Sequence, residues 1–159
     1  MKILIVSDTH GRCERLEEAL EREKPINALI HCGDVERDED YISVIAECPT
    51  YIVSGNNDFL SDLPREIEGK ICGCRFFVTH GHYYGVSMDL TRVWKEGHVR
   101  NAEVVLFGHT HRPVIKEMHG TMVMNPGSLT YPRQAGRRPT YITMERKTGG
   151  KWDFQLHEL

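Results

Sequence analysis

The chain opens on an uninterrupted apolar run, residues 2–6, that stops at Ser7-Asp8-Thr9-His10-Gly11. The same order recurs along the chain: a strand-like run, then a short loop holding Asp, Asn or His next to Gly. These further loops are Gly33-Asp34, Gly55-Asn56-Asn57-Asp58, His80-Gly81-His82 and Gly108-His109-Thr110-His111. A short, continuous apolar run with β-branched residues reads as a strand buried on both faces. Residues 2–6, 28–32 and 50–54 fit that description. Between them, residues 12–24 place Leu16, Ala19 and Leu20 at helical spacing, and residues 39–48 place Ile42, Ile45 and Ala46 likewise. Pro25 and Pro49 close the two helices. Strand–helix alternation of this kind predicts a largely parallel sheet with right-handed crossovers.

The pattern then changes. Residues 66–71 and 75–79 flank Cys72-Gly73-Cys74 as a hairpin leading into His80. A helix over residues 88–100, weakened by Gly97, is followed by a strand over 104–107. Strands alternate with turns thereafter, over 114–118, 122–124, 141–145 and 152–157. This predicts an α/β (α+β) chain: an αβ first half and a β-rich second half, folded as two packed sheets with helices outside. A length of 159 residues, 40% of them hydrophobic, suits one domain over 1–159 that needs no disulfide to hold its core.

The five cysteines are odd in number and form no C-x-x-C pair, which favours a reducing cytosol over a disulfide framework. Cys72-Gly73-Cys74 lacks the second pair that a thiolate metal site needs, and reads as a tight turn. The apolar start is too short for a signal peptide, and no segment reaches membrane-spanning length, so the expected compartment is the cytoplasm and no membrane partner is expected. A net charge of -3 offers no footprint for nucleic acid. It leaves room for a small anionic substrate, because the field inside a cleft can oppose the global charge.

In open α/β sheets, sites form beyond the carboxyl ends of strands, where each of these loops falls. Asp8, His10, Asp34, Asn56, His80, His109 and His111 make a mixed nitrogen–oxygen donor set. That set suits Mn²⁺, Fe²⁺, Zn²⁺, Ni²⁺ or Co²⁺ better than Mg²⁺ or Ca²⁺. Seven side chains exceed the needs of one catalytic ion and suit two that share a bridging carboxylate, about 3.5–4 Å apart. Taken singly, an Asp after a strand is commonly a cap and a lone His commonly structural. Five such loops at successive strand ends argue for a site.

In order, Asp8-x-His10, Gly33-Asp34, Gly55-Asn56-x-Asp58, His80 and Gly108-His109-x-His111 resemble the motif set of the calcineurin-like metallophosphoesterases, from Ile3 to about Ser128. The short length and Asn125-Pro126-Gly127-Ser128 are similar to the small single-domain YfcE-type phosphodiesterases. The resemblance implies a four-layer αββα sandwich of two mixed β-sheets with a dinuclear site at its edge. It implies that Asp8, His10, Asp34 and His111 hold one metal, manganese or nickel among the candidates. Asp34, Asn56, His80 and His109 would hold the other, with Asp34 as the bridge. The implied reaction is hydrolysis of a small phosphate ester, a diester before a monoester, by a metal-bridging hydroxide in line with the leaving oxygen. The alternatives are a scaffold of the same fold that does no chemistry, as in the related retromer subunit, and a nuclease. A homo-oligomer is compatible with all of these.

Many members of the family have His where this chain has Asn57. An amide can donate a hydrogen bond to a phosphoryl oxygen but cannot act as a general acid near neutral pH. His82, two residues past a ligand position, is the candidate to assist, with a role at the rim as the competing reading. Asp58 reads as orienting its loop. Asn125-Pro126-Gly127-Ser128 reads either as backbone N–H groups near a phosphate or as a plain turn. Arg133, Arg137 and Arg138 read first as a solvated basic loop and second as phosphate contacts. His31, His98, His119 and His157 read as structural, and Met118, Met122 and Met124 as core or sheet-facing residues.

Overall fold

A computed structural model describes all of residues 1–159. Ten strands and three helices follow the order β1 (Lys2–Val6), α1 (Glu14–Glu23), β2 (Ala28–His31), α2 (Glu39–Ala46), β3 (Thr50–Ile52), β4 (Glu66–Ile71), β5 (Cys74–Thr79), α3 (Thr91–Val99), β6 (Val104–Leu106), β7 (Val114–Met118), β8 (Thr121–Asn125), β9 (Thr140–Arg146) and β10 (Trp152–Glu158). They form two five-stranded mixed sheets, ordered β10-β9-β1-β2-β3 and β4-β5-β6-β8-β7. The division does not follow the halves of the chain. The last two strands return to the first sheet, where β9 runs antiparallel to β1.

Side-chain alternation along the strands builds the layers. In β1, Ile3 and Ile5 point between the sheets, where they meet Phe76 and Val78 of β5, Val104 and Leu106 of β6, and Met124 of β8. Leu4 and Val6 point the other way, onto Leu16, Ala19 and Leu20 of α1 and Ile42 and Ala46 of α2. The second sheet mirrors this, with Phe77, Val105 and Val123 facing Val93 of α3. The result is a helix–sheet–sheet–helix sandwich. Runs that read as buried on both faces are so because each sheet has a core on either side. No helix is long and apolar enough to cross a membrane.

The helices are shorter than their periodicity, for local reasons. His10 and Gly11 hold positive φ (50° and 67°), so α1 begins only at Glu14. Glu47 takes a left-handed cap (φ 55°) and stops α2 before Pro49. Ahead of α3, the Asp89 carboxylate accepts the Thr91 N–H at 2.7 Å, and the residues before it form turns. One of these is a 3-10 turn over His82–Tyr84 that the sequence does not announce.

The parallel strands of the two sheets send their carboxyl ends to one edge. β1, β2 and β3 are mutually parallel, as are β5, β6 and β8. Gly97, a weakness by helix propensity, is what allows α3 to lie against β6. A Cβ there would overlap Val105 Cγ2. Gly97→Ala therefore sets two effects against each other. Propensity favours Ala by about 1 kcal/mol in an exposed helix, whereas overpacking costs roughly 1–3 kcal/mol. The clash with a fully buried neighbour is expected to win, and the urea midpoint of Gly97→Ala should fall below that of the wild type. A rise would show that the helix shifts freely.

Candidate metal centre

Each loop at the shared edge is pinned to its neighbours before any side chain is considered. Asp8 N–H donates to Gly33 O (3.0 Å), His10 N–H to Asp34 O (2.9 Å) and Gly108 N–H to His80 O (3.1 Å). Such close approach requires glycine at Gly55 and Gly108. A Cβ on Gly55 would overlap the Asp34 carboxylate, and one on Gly108 would overlap Ser7 Oγ.

The ligand-type residues themselves bend the backbone. Asp8 (φ 57°), His10 (φ 50°), Asp34 (φ 58°), His109 (φ 66°) and His111 (φ 57°) all lie in the left-handed region. Strain of this kind costs about 1–3 kcal/mol per residue and persists only where surrounding contacts over-determine it. Here it turns five side chains inward.

The first group they form is Asp8, His10, Asp34 and His111, whose ligand atoms lie within 4.8 Å of one another. His10 Nε2 is 3.3 Å from His111 Nε2 and 3.8 Å from both Asp8 Oδ1 and Asp34 Oδ2. Beside it, His80 Nε2 lies 3.5 Å from Asp34 Oδ2 and 3.2 Å from Asn56 Oδ1, and His109 Nδ1 lies 2.9 Å from that same amide oxygen. All seven residues singled out in the sequence are thus within one connected cluster, with Asp34 next to both parts.

Proton positions follow from the outer partners. His111 Nδ1 donates to Tyr131 O, His80 Nδ1 to Cys32 O (each 2.7 Å) and His10 Nδ1 to the Glu36 carboxylate (2.8 Å). Each of those partners only accepts, so each Nε2 presents a lone pair to the interior. The Asp8 carboxylate is fully buried, and neither of its oxygens has a hydrogen-bond partner. His111 Nε2 sits 3.1 Å from Asp8 Oδ1, a contact that holds only with a proton or a cation between the two. A buried carboxylate without a partner, with imidazole nitrogens converging on it, is stable only around a positive charge, a proton or a cation. Burial alone would raise the Asp8 pKa, yet His111 and His80 outweigh it and hold the carboxyl below its ordinary value. Burial likewise opposes a charge on His111, but contact with Asp8 and Tyr131 O wins and the imidazole is raised. The residues therefore fit a divalent metal site.

Asp58 accounts for the rigidity of two loops at once. Its buried carboxylate accepts the backbone N–H groups of Asp34 (2.7 Å), Val35 (3.1 Å), Glu36 (2.7 Å) and Gly55 (2.8 Å). Asn57 is also engaged with the cluster: its Nδ2 donates to Asp34 Oδ2 (2.8 Å) and its backbone N–H to Asp34 Oδ1 (2.9 Å). His82 is half-buried and lies tilted against Tyr83, ring centroids 4.0 Å apart, with Nδ1 buried and unpartnered. Burial, then the neighbouring His80 and His109, push its pKa down to about 4, so it is neutral at pH 7.

Some residues take places that spacing did not reveal. Asn125 and Ser128 are fully buried, and the turn they form does more than connect strands. Asn125 Nδ2 donates to Gly108 O (2.6 Å) and Thr110 Oγ1 (3.0 Å), and Ser128 Oγ donates to Asp8 O (2.9 Å). The motif is a clamp joining the first and last ligand loops. His31, structural by sequence, is buried beneath the site. Its Nδ1 accepts the Gly33 N–H (3.2 Å) and its Nε2 meets Thr9 Oγ1 (3.0 Å). Glu36 and Tyr131 orient His10 and His111 but fall outside every motif. The three loop arginines separate: Arg133 and Arg137 line different grooves, and Arg138 lies 3.5 Å from Glu158.

Comparison with known proteins agrees with this geometry. Residues 1–149 match the calcineurin-like phosphoesterase superfamily domain. The chain is 34% identical over 134 residues to the probable metallophosphoesterase YsnB of Bacillus subtilis, covering 84% of this chain and 78% of YsnB. It is also 34% identical over 150 residues to the phosphodiesterase MJ0936 of Methanocaldococcus jannaschii, covering 80% of this chain and 83% of that protein. Among solved structures, a predicted phosphoesterase from Streptococcus pneumoniae superposes with a TM-score of 0.81 at 26% identity, over 96% of this chain and 87% of the other. The chain belongs to the calcineurin-like phosphoesterase superfamily.

Two outcomes follow for the cluster. Asp58→Ala strips the acceptor from four N–H groups, three of them buried, so it should cost roughly 3 kcal/mol or more of stability in urea and weaken metal binding about 10–100-fold. Unchanged metal affinity would reduce Asp58 to a turn residue. Burial lowers the His31 pKa from 6.5 to about 4. Between those values the unfolded chain takes up a proton that the native one refuses, so stability falls as pH drops through that window and levels off below it. The loss amounts to roughly 3 kcal/mol. In chelator-treated protein, urea midpoints at pH 7.5 and pH 5 should differ less for His31→Gln than for the wild type. Equal differences would remove His31 from the account.

Proposed function

We propose that this chain is a metal-dependent phosphodiesterase with a dinuclear centre, residues 1–159 acting as one domain. Asp8, His10, Asp34 and His111 would hold one ion. Asp34, Asn56, His80 and His109 would hold the second, with Asp34 shared. A bound pair of divalent cations supplies polarisation of phosphoryl oxygens and a water of lowered pKa. The observation that carries the reading is the fully buried Asp8 carboxylate, without a hydrogen-bond partner and set among the imidazole nitrogens of the cluster.

The protein's own contribution is placement. Asp58 and the Asn125–Ser128 clamp fix the loops, so little reorganisation is needed when charge develops on the substrate. Asn57 orients Asp34 through two hydrogen bonds and keeps an amide near the reacting phosphate. His82, neutral and half-buried beside Asn56, offers a hydrogen bond rather than a readily lost proton. No evident protein acid stands ready for the leaving oxygen, which favours diesters with good leaving groups over simple alkyl monoesters. The mixed donor set favours Mn²⁺, Ni²⁺, Fe²⁺, Zn²⁺ or Co²⁺ over Mg²⁺.

Chelator-stripped protein, given each metal separately, should recover hydrolysis of a chromogenic aryl phosphodiester, and more slowly of the matching monoester. Asp34→Asn should lower the restored rate about a hundred- to thousandfold, the loss expected when an electrostatic element of a reaction centre is removed. Metal-dependent turnover surviving in Asp34→Asn would refute the shared-carboxylate arrangement. Absence of turnover with every metal, despite bound ions, would favour a scaffold role.

A further inference from the structure

Beside the last ligand loop lies a groove of about 400 Å³ that none of the proposed ligands uses. Its floor is apolar: Phe107 and Val86 are buried (1% and 5% exposed), and Leu90 and Val114 are half-buried. Thr110, between His109 and His111, forms the wall shared with the metal centre, and Arg112 and Arg133 form the exposed edge. The groove falls within the size range of small-molecule sites, about 300–1,000 Å³.

Five arginines of the chain are neutralised by an ion pair, and these two are not. Arg15, Arg22, Arg75, Arg100 and Arg138 each pair with a glutamate. Arg112 and Arg133, like six other arginines, have no carboxylate partner; what distinguishes them is their place on the groove beside the last ligand loop. Both are also tied at the backbone to the ligand loop. Arg133 N–H donates to His111 O (2.9 Å), and Arg112 N–H donates to Thr110 Oγ1 (3.3 Å), itself held by Asn125. Two unpaired guanidinium groups at the rim of an apolar trough, one next to the ligand loop in sequence and one tied to it by a backbone hydrogen bond, make an anion site with an apolar approach.

We infer that this groove is a substrate subsite: it receives a second anionic group, phosphate or carboxylate, carried on a short apolar or aromatic spacer from the reacting phosphate. The inference rests on the phosphoesterase reading above. It narrows the substrate class to diesters with an additional terminal anion and excludes plain dialkyl or diaryl esters as the preferred ones. Arg112 and Arg133 would clamp that anion, and Phe107, Val86 and Leu90 would cover the spacer.

Binding is tested first on chelator-treated protein, which separates the groove from metal-dependent chemistry. Phenylphosphonate and benzoate are titrated calorimetrically into the wild type, Arg112→Ala and Arg133→Ala, with melting temperatures recorded to confirm folding. At least one anion should bind the wild type, and each substitution should weaken it about tenfold, the loss expected for one charge-assisted contact. Tighter phosphonate binding assigns the site to a terminal phosphate, and tighter benzoate binding to a carboxylate. No binding of either anion, or binding indifferent to both substitutions, overturns the subsite. Turnover supplies the second arm: kcat/KM for an aryl phosphodiester bearing a phosphonomethyl or carboxymethyl arm, divided by that for the unsubstituted diester. The ratio should exceed about ten in the wild type and approach one in Arg112→Ala/Arg133→Ala. A wild-type ratio near one, with metal-restored turnover of both esters, overturns the subsite alone. No turnover of either ester overturns the reading on which it rests.

Discussion

A fully buried carboxylate that only a proton or a cation among its imidazole neighbours can compensate is the constraint on which the rest of the structure depends. Left uncompensated, a buried charge costs several kcal/mol, a large part of a domain's net stability of about 5–15 kcal/mol. Two folded sheets cannot relieve it by repacking, because Asp8 follows β1 at the centre of the first sheet. The sandwich is therefore built to hold positive charge at one edge. The outer hydrogen bonds of His10, His80 and His111 determine which nitrogen faces that charge.

Holding such a set in place falls to polar groups one layer out. Asp58 ties the Gly33-Asp34 loop to the Gly55-Asn56 loop, and Asn125 and Ser128 tie the first ligand loop to the last. His31 supports the base of the site in a neutral form. These contacts offset the left-handed backbone at five ligand-type residues, which at about 1–3 kcal/mol each no single contact could balance. Glycines at the crossing points let backbone meet carboxylate without a Cβ between them. Rigidity, crowding and strain are thus coupled at one edge, while the three hydrophobic layers remain ordinary.

Much of this was legible in the sequence. Apolar runs ending in Asp, Asn or His beside Gly marked both the parallel strands and the loops that converge, and the seven ligand-type residues do meet. What stayed hidden has physical reasons. Periodicity cannot say which sheet a strand joins, so the return of β9 and β10 to the first sheet was not foreseen. Helix ends depended on left-handed residues at His10 and Glu47, which leave no periodic trace. Glu36, Tyr131 and Cys32 act through a side chain or carbonyl placed only by tertiary contact. Asn125 and Ser128 looked like turn chemistry because sequence does not reveal burial. Gly97 looked like a helix defect because its reason lies across the layer, on Val105.

The most direct test of the central claim is the number of ions the folded chain holds. Chelator-stripped protein would be dialysed to equilibrium against Mn²⁺ and, separately, Zn²⁺, and bound metal counted by atomic emission for the wild type and Asp8→Asn. The account predicts two ions per wild-type chain and fewer in Asp8→Asn. A wild-type chain that binds none, or an Asp8→Asn chain that binds both as tightly, would contradict it.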